Sequence, residues 1–321
     1  MNTGPLRYNK DIDKKIAEAV EDSLKTKVNL FEKIQKGEFN HVYKVTTDKQ
    51  KVIIRVFRSG EWPEEDKPMW IEERLAGLNI PHAKILFHTR DSKFFPYGFM
   101  ITEFIEGKNG WDAITNGKIT FEEFQKQLSE ILTQIHEVKV DKYGLLKGGK
   151  GENSSFTKYK LNKLAKEWEK AKKIENLDQS LYEKSKEIVL ETLEKLENRS
   201  TPVLIHGDAG PDNSIVTPEG KIILVDWDSA KSSIWFEDYS WMMYWGSHLG
   251  SFGPRDERMK KIFDFSNEIT TNANFTPDEL WQLTKALHII QAIDLLAYYY
   301  IDQKNMEAYK STKERLTNLL R

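Results

Sequence analysis

The stretch Val203–Ser229, VLIHGDAGPDNSIVTPEGKIILVDWDS, sets an unusual density of charge in an apolar frame. Two runs of strand-forming residues, Ser214 to Val216 and Ile222 to Val225, flank the turn signal TPEG. With PEGK (218–221) as the loop, Thr217 faces Ile222. Counting down that ladder puts Ser214 opposite Val225 and Asn213 opposite Asp226. The hairpin is therefore expected to bring an amide oxygen and a carboxylate together at its open end. Asp208 stands on the loop that enters the hairpin, and Asp228 follows just past Asp226.

Two hard oxygen donors of this kind suit Mg²⁺, which usually keeps waters and shares itself with substrate phosphates. The spacing His-x-Asp-x-x-x-x-Asn, with an acid after the next short strand, is an arrangement used for phosphoryl transfer. In it one Asp accepts the proton of the attacking hydroxyl, while the Asn and a second Asp hold metal. An acid at a strand end is ordinarily a turn former or a helix cap. The combined pattern is much rarer than its parts, and that favours the chemical reading.

The chain has 321 residues, long for one domain and comfortable for two lobes. Its hydrophobic share of 39% and charged share of 31% are those of a soluble globular protein. A net charge of −2 supplies no electrostatic argument for nucleic acid or an anionic membrane. The absence of cysteine excludes disulfides, thiolate metal sites and a Cys nucleophile. The opening MNTGPLRYNKDIDKK has no apolar core of a signal peptide. The most apolar late stretch, LHIIQAIDLLAYYYI, is interrupted by Gln291 and Asp294 and is too short to span a bilayer. The expectation is a cytoplasmic enzyme with no nucleic-acid or membrane partner; the oligomeric state stays open.

Along the chain, Ile12, Ile16, Val20 and Leu24 recur every four residues and predict a helix over 11–25. VNLFEKI, HVYKVTTD and KVIIRVF predict three strands, followed by a Pro- and acid-rich loop and a helix, MWIEERLAGL, that stops before Pro81. AKILFHT and YGFMITEFI predict two more strands, and EGKNG marks a boundary. Helical periodicity then dominates at 121–138, 155–173 and 181–197, and again from Tyr239 onward, interrupted by the opening hairpin. The pattern is α+β, with a sheet-rich part at 1–106 and a mostly helical part at 107–321.

HGDAGPDN followed by ILVDWDSA resembles the aminoglycoside phosphotransferase and choline kinase superfamily, and WFEDYSWMM resembles the segment that packs behind its active site. The resemblance covers residues 28 to 245. It implies a two-lobed, protein-kinase-like fold: a small antiparallel-sheet lobe for nucleotide and a larger helical lobe for catalysis and substrate. It also implies Mg²⁺-dependent transfer of the γ-phosphate of ATP or GTP to a small-molecule hydroxyl. Asp208 is then the catalytic base, and Asn213 and Asp226 are the metal ligands. Asp228 contacts metal through water or caps the next segment. His206 braces the catalytic loop, and His136 is structural.

The first lobe offers matching positions. KGEFNHVYKV resembles the family's phosphate-covering loop, with Gly37 for the tight turn and Asn40 to offer an amide to phosphate. The strand VIIRVF carries Arg55 where the family commonly has Lys; Lys51 is the alternative if the register is misjudged. Arg55 is expected to pair with Glu72, which lies about 100° round the helix from buried Ile71. In GFMITEFIEG, the carbonyl of Glu103 and the amide of Ile105 are expected to hold the base.

The acceptor is less legible. Trp235, Trp241, Tyr244 and Trp245 form either a face for a sugar or cationic amine, or simply core. Glu237, Asp238, Asp256 and Glu257 are the acids available for a polycationic aminoglycoside. Choline, ethanolamine, homoserine and sugar acceptors stay open. A protein kinase is disfavoured because DWDSAKSSIWFED leaves no room for a long activation segment. A silent nucleotide-binding module and a purely structural α+β protein are the readings outside catalysis.

Overall fold

The computed structural model describes residues 10–34, 41–58, 60, 63–64, 66–245, 255–271 and 274–321. In chain order its elements begin with α1 (Lys10–Leu24), β1 (Val28–Ile34), β2 (His41–Thr47), β3 (Lys51–Val56), α2 (Lys67–Gly77), β4 (Ile85–Thr89) and β5 (Phe99–Glu103). There follow β6 (Lys108–Asn109), α3 (Gly110–Thr115), α4 (Phe121–Ile135), β7 (Gly144–Leu145), α5 (Phe156–Ala171), α6 (Ser180–Leu196) and β8 (Val203–Ile205). The hairpin strands are β9 (Ser214–Val216) and β10 (Ile222–Leu224), after which come β11 (Lys231–Ser233), α7 (Phe236–Trp245) and α8 (Arg255–Phe265). The chain closes with α9 (Asn267–Thr271), α10 (Pro277–Ala297) and α11 (Met306–Leu319). An antiparallel sheet precedes a largely helical remainder, as the α+β, kinase-like reading expects.

Packing divides the chain into two compact units, one of residues up to Ile119 with Pro211–Asp228, the other of Thr120–Gly210 with Ser229–Arg321. In the first, five antiparallel strands run in the order β1-β2-β3-β5-β4. Period-two alternation decides which side is core: Tyr43 and Val45 on β2, Val52, Ile54 and Val56 on β3, and Phe99 and Ile101 on β5 are all buried. Helix α1 covers that face with Ile12, Ile16, Ala19 and Val20. Because strand residues alternate, Arg55 projects from the opposite face. Helix α2 starts at Lys67 with Pro68 in its first turn and buries Ile71 and Leu75.

A second sheet in this unit has the order β10-β9-β6. The EGKNG segment thus supplies a strand, β6, to the hairpin, and Asn109 caps α3 by accepting from the Trp111 amide.

In the second unit α10 is buried along nearly its whole length, from Leu280 to Ala297, with α5, α6, α7 and α11 packed against it. A helix apolar on all sides is a core helix. Thr276 and Glu279 cap its start reciprocally. A three-stranded sheet, β7-β11-β8, sets the exit of β8 towards the HGD loop. Among the described residues no helix is long and apolar enough to cross a membrane.

Candidate active site

The hairpin forms, but one residue out of the expected register. Ile222 pairs with Val216, Ile223 with Ile215 and Leu224 with Ser214. The loop is PEG, not PEGK: Thr217 N donates to Lys221 O at 2.9 Å, and Gly220 adopts φ +79°. A left-handed glycine closing a three-residue loop is a common hairpin solution, and it shifts the ladder by one. Asn213 consequently lies opposite Val225, whose amide donates to the Asn213 carbonyl at 3.0 Å. In the backbone ladder Asp226 is thus not the residue opposite Asn213; it leaves the ladder in a left-handed conformation, φ +63°.

The loop before β9 is tied down from the side. Asn109 Nδ2 donates to the Asp212 carbonyl at 2.9 Å, and the Trp111 indole donates to Asp212 Oδ2 at 3.0 Å. Asn109 and Trp111 thereby fix Asp212, the residue next to Asn213. Neither was singled out from the sequence; their bonds join positions about a hundred residues apart.

Arg55 is where the strand reading put it, but its partners differ. Its guanidinium contacts Asp226 and Asp228, not Glu72. Burial works against the Arg55 charge, yet the two carboxylates outweigh it and raise its pKa. Asp228 is pushed upward by burial, against the pull of Arg55. Glu72 is committed elsewhere: it accepts from the Ile85 amide at 3.2 Å and lies 3.3 Å from His82 Nε2. Its carboxylate is thus held at the start of β4. Lys51 lies 3.3 Å from Glu106 on an exposed surface.

Lys67, unremarked in the sequence, is 1% exposed; it donates to the Asp228 carbonyl at 2.6 Å and pairs with Glu64 at 2.6 Å. The Glu103 amide donates to Lys84 O at 2.9 Å, and Phe104 N reaches Lys51 O at 3.4 Å, so Ile105 follows directly after the sheet. Gly37 and Asn40 lie outside the described residues.

In the other unit, β8 runs into a tightly fixed loop. The amides of His206 and Gly207 donate to Asp238, at 3.0 and 2.7 Å. Asp238 is fully buried, and so is His206, whose Nδ1 accepts from the Asp208 amide at 3.3 Å. Gly207 has φ +77°, and a Cβ there would sit 2.3 Å from the Ser229 carbonyl oxygen. Asp208 Oδ1 accepts from the Trp241 indole at 2.6 Å. Behind Asp238, His136 bridges two acids: Nε2 lies 3.2 Å from Asp238 and Nδ1 2.7 Å from Glu268. Burial disfavours an imidazolium here, but the hydrogen bonds to Asp238 and Glu268 win and raise its pKa to about 9.

The aromatic candidates separate. Trp235 packs edge-on against Phe236 and Tyr239, and Tyr244 is buried under the Arg315 guanidinium, 3.4 Å from the ring centre; both are core. Trp241 is half-buried. Glu237 is buried between Lys160 at 2.5 Å and Lys231 at 3.0 Å, Asp238 serves the HGD loop, and Glu257 pairs with Lys261 at 3.3 Å. The side chains of Trp245 and Asp256 lie outside the described ones.

The second unit thus carries an HGD loop buttressed by a buried acid, and the first an Arg–Asp cluster beside a hairpin. The model of the phosphotransferase enzyme family (APH) matches residues 31–259. The chain belongs to that family. This phosphotransferase is therefore an enzyme of the small-molecule kinase class. No curated protein matches it in sequence. Among solved structures, aminoglycoside phosphotransferase APH(4)-Ia superposes with a TM-score of 0.72 at 13% identity, over 96% of this chain and 98% of that one. Choline kinase LicA from Streptococcus pneumoniae superposes with a TM-score of 0.64 at 16% identity, over 96% and 98%. A thermostable mutant of APH(4)-Ia, solved as a ternary complex with ADP and hygromycin B, superposes at 0.70 with 13% identity, over 96% and 98%.

Proposed function

We propose that this phosphotransferase moves the γ-phosphoryl group of ATP, or of GTP, to a hydroxyl of a small molecule of the aminoglycoside type. The observation that carries the reading is the double amide clamp of buried Asp238 on His206 and Gly207, which holds the Asp208 loop in one conformation. Preorganisation of this sort is the main thing a protein contributes to phosphoryl transfer. The fold shared with a protein that binds ADP and hygromycin B supports the donor and acceptor classes.

Asp208 orients the acceptor hydroxyl and takes its proton. The hydroxyl oxygen bonds to the γ-phosphorus as the bridging P–O bond breaks, and the electron pair of that bond leaves on the β-phosphate of the nucleoside diphosphate. Arg55 grips the α- and β-phosphates, with Asp228 in the anchoring role expected of Glu72. Gly37 and Asn40 cover the phosphates, and the Glu103 carbonyl and Ile105 amide hold the base.

Asn213 and Asp226 fit Mg²⁺ by donor chemistry: one amide and one carboxylate are hard oxygen donors, and the Asp226 side chain is 45% exposed. When bound there, the ion supplies charge neutralisation on the β- and γ-phosphates.

A metabolite acceptor (choline, ethanolamine, homoserine or a sugar) is the second reading, favoured by the likeness in fold to a choline kinase. The test is label transfer from γ-labelled ATP or GTP, with Mg²⁺, to a pooled panel of aminoglycosides, choline, ethanolamine, sugars and homoserine. A labelled product made by the wild type and not by Asp208→Asn supports the reading and names the acceptor. Absence of nucleotide binding overturns it.

A further inference from the structure

Helix α7 meets the HGD loop twice. Asp238 takes the loop's backbone through the amides of His206 and Gly207, and Trp241 takes its side chain through the bond from Nε1 to Asp208 Oδ1. Asp238 and Trp241 stand at i and i+3, hence on one face of the helix. Other aromatic residues of α7, Phe236, Tyr239 and Tyr244, are buried, whereas Trp241 is half-buried and spends its single polar hydrogen on the carboxylate.

An indole has one donor, no acceptor and a rigid ring, so with its N–H on Asp208 Oδ1 it offers no second polar contact that could compete for its orientation. The bond to Asp208 is 2.6 Å long. Holding Oδ1 sets the plane of the carboxyl group and with it the direction in which Oδ2 points.

We propose that Trp241 is a positioning residue for phosphoryl transfer: its indole N–H fixes the Asp208 carboxylate so that Oδ2 receives the proton of the acceptor hydroxyl. The inference rests on the assignment of Asp208 as the base. In the step itself the O–H bond breaks to Oδ2, the new O–P bond forms at the γ-phosphorus, and the bridging P–O bond releases its electron pair to the nucleoside diphosphate. Trp241 acts through Asp208 and is not consumed or charged.

The experiment compares wild type, Trp241→Phe, a variant carrying benzothienylalanine at position 241, and Asp208→Asn. Benzothienylalanine keeps the shape of the indole and lacks its N–H. The readout is label leaving γ-labelled Mg–ATP, to water and to the acceptor panel together. The expected result is a fall in kcat of about 10- to 100-fold for both position-241 variants, with nucleotide and acceptor KM changed less than about threefold. The acid limb of the kcat profile should also move to higher pH in both, because the lost hydrogen bond favoured the charged carboxylate. Wild-type kcat with an unmoved pH profile in the benzothienyl variant, while Asp208→Asn is inactive, overturns this inference alone. Turnover surviving in Asp208→Asn, or no label leaving ATP in the wild type, overturns the base assignment and this inference with it.

Discussion

Arg55 grips Asp228 with both arms of its guanidinium, Nη1 at 3.0 Å from Oδ1 and Nη2 at 2.8 Å from Oδ2, while the same Nη2 reaches Asp226 Oδ1 at 2.9 Å. The two-armed contact is the stronger and the drier one: the Arg55 and Asp228 side chains are 14% and 13% exposed, against 45% for Asp226. The two acids of DWD therefore divide their work, Asp228 anchoring the cation and Asp226 facing outward. Asp228→Asn keeps one acceptor and loses the charge, at a cost of about 1.5–3 kcal/mol for a hydrogen bond to a charged group. The expected outcome is nucleotide affinity weakened at least tenfold, measured calorimetrically, with a smaller change in kcat. Asp226→Ala should do the reverse and abolish metal-dependent turnover. Should Glu72→Gln weaken nucleotide binding more than Asp228→Asn, the anchor has been misassigned.

Lys160 makes a prediction about pH and stability. Burial pushes its pKa down to about 7, against an ordinary value of 10.5, although Glu237 pulls the other way at 2.5 Å. Above pH 7 the unfolded chain thus holds a proton that the folded chain has shed, so this group makes stability rise with pH from about 7 to 10.5. Lys160→Met should remove that rise without stranding Glu237, which keeps Lys231 at 3.0 Å. Denaturant unfolding of variant and wild type at both ends of the window checks it. A constant difference between the two proteins would show that Lys160 does not titrate there.

His136 pulls in the opposite direction over an overlapping range. Its pKa is raised from 6.5 to about 9, so its contribution is fully present below pH 6.5 and is lost as the pH rises through about 9. Total stability near pH 8 is then a difference between two opposed trends, and only variant-minus-wild-type curves separate them. His136→Gln should flatten the falling component. An NMR titration of the imidazole should place its midpoint near pH 9, and a midpoint near 6.5 would mean that Asp238 and Glu268 do not hold it charged.

Much of the fold is legible because two periodicities dominate it. Alternation along 41–47 and 51–56 marks the strands, and a four-residue recurrence marks α1. The short strands β6, β7, β8 and β11 are two or three residues each, too few to show a period. The hairpin is legible, but its register turned on whether Lys221 was loop or ladder, and only the left-handed Gly220 decides that. The site divides in the same way. The candidates Asp208, Asn213 and Asp226 are marked by local spacing, and Arg55 by being the cation inside the apolar run VIIRVF. Their partners do not, since Asp228 is 173 residues from Arg55 and Trp241 is 33 from Asp208. Helical geometry placed Glu72 on an accessible side of α2 but carried no information that the Ile85 amide would claim it.

Two glycines with nearly equal φ, Gly207 at +77° and Gly220 at +79°, should respond very differently to the same substitution. At either position alanine meets the left-handed penalty of about 1–2 kcal/mol. Around Gly220 that is all, because a Cβ meets nothing within 4 Å. Gly220→Ala should lose about 1–2 kcal/mol of unfolding free energy, or relax towards the longer loop, and retain most of its turnover. At Gly207 the added carbon would lie 2.3 Å from the Ser229 carbonyl, a backbone atom with no rotamer to change. To make room, the loop must pull away from Ser229, and doing so strains the two hydrogen bonds from its amides to Asp238 that hold Asp208 in place. Gly207→Ala should therefore cost more stability than Gly220→Ala and reduce turnover by at least 100-fold even where the protein still folds. Unfolding curves paired with label transfer from ATP test both variants side by side. Equal losses of activity would mean that the tightness of the HGD loop has no bearing on the chemistry.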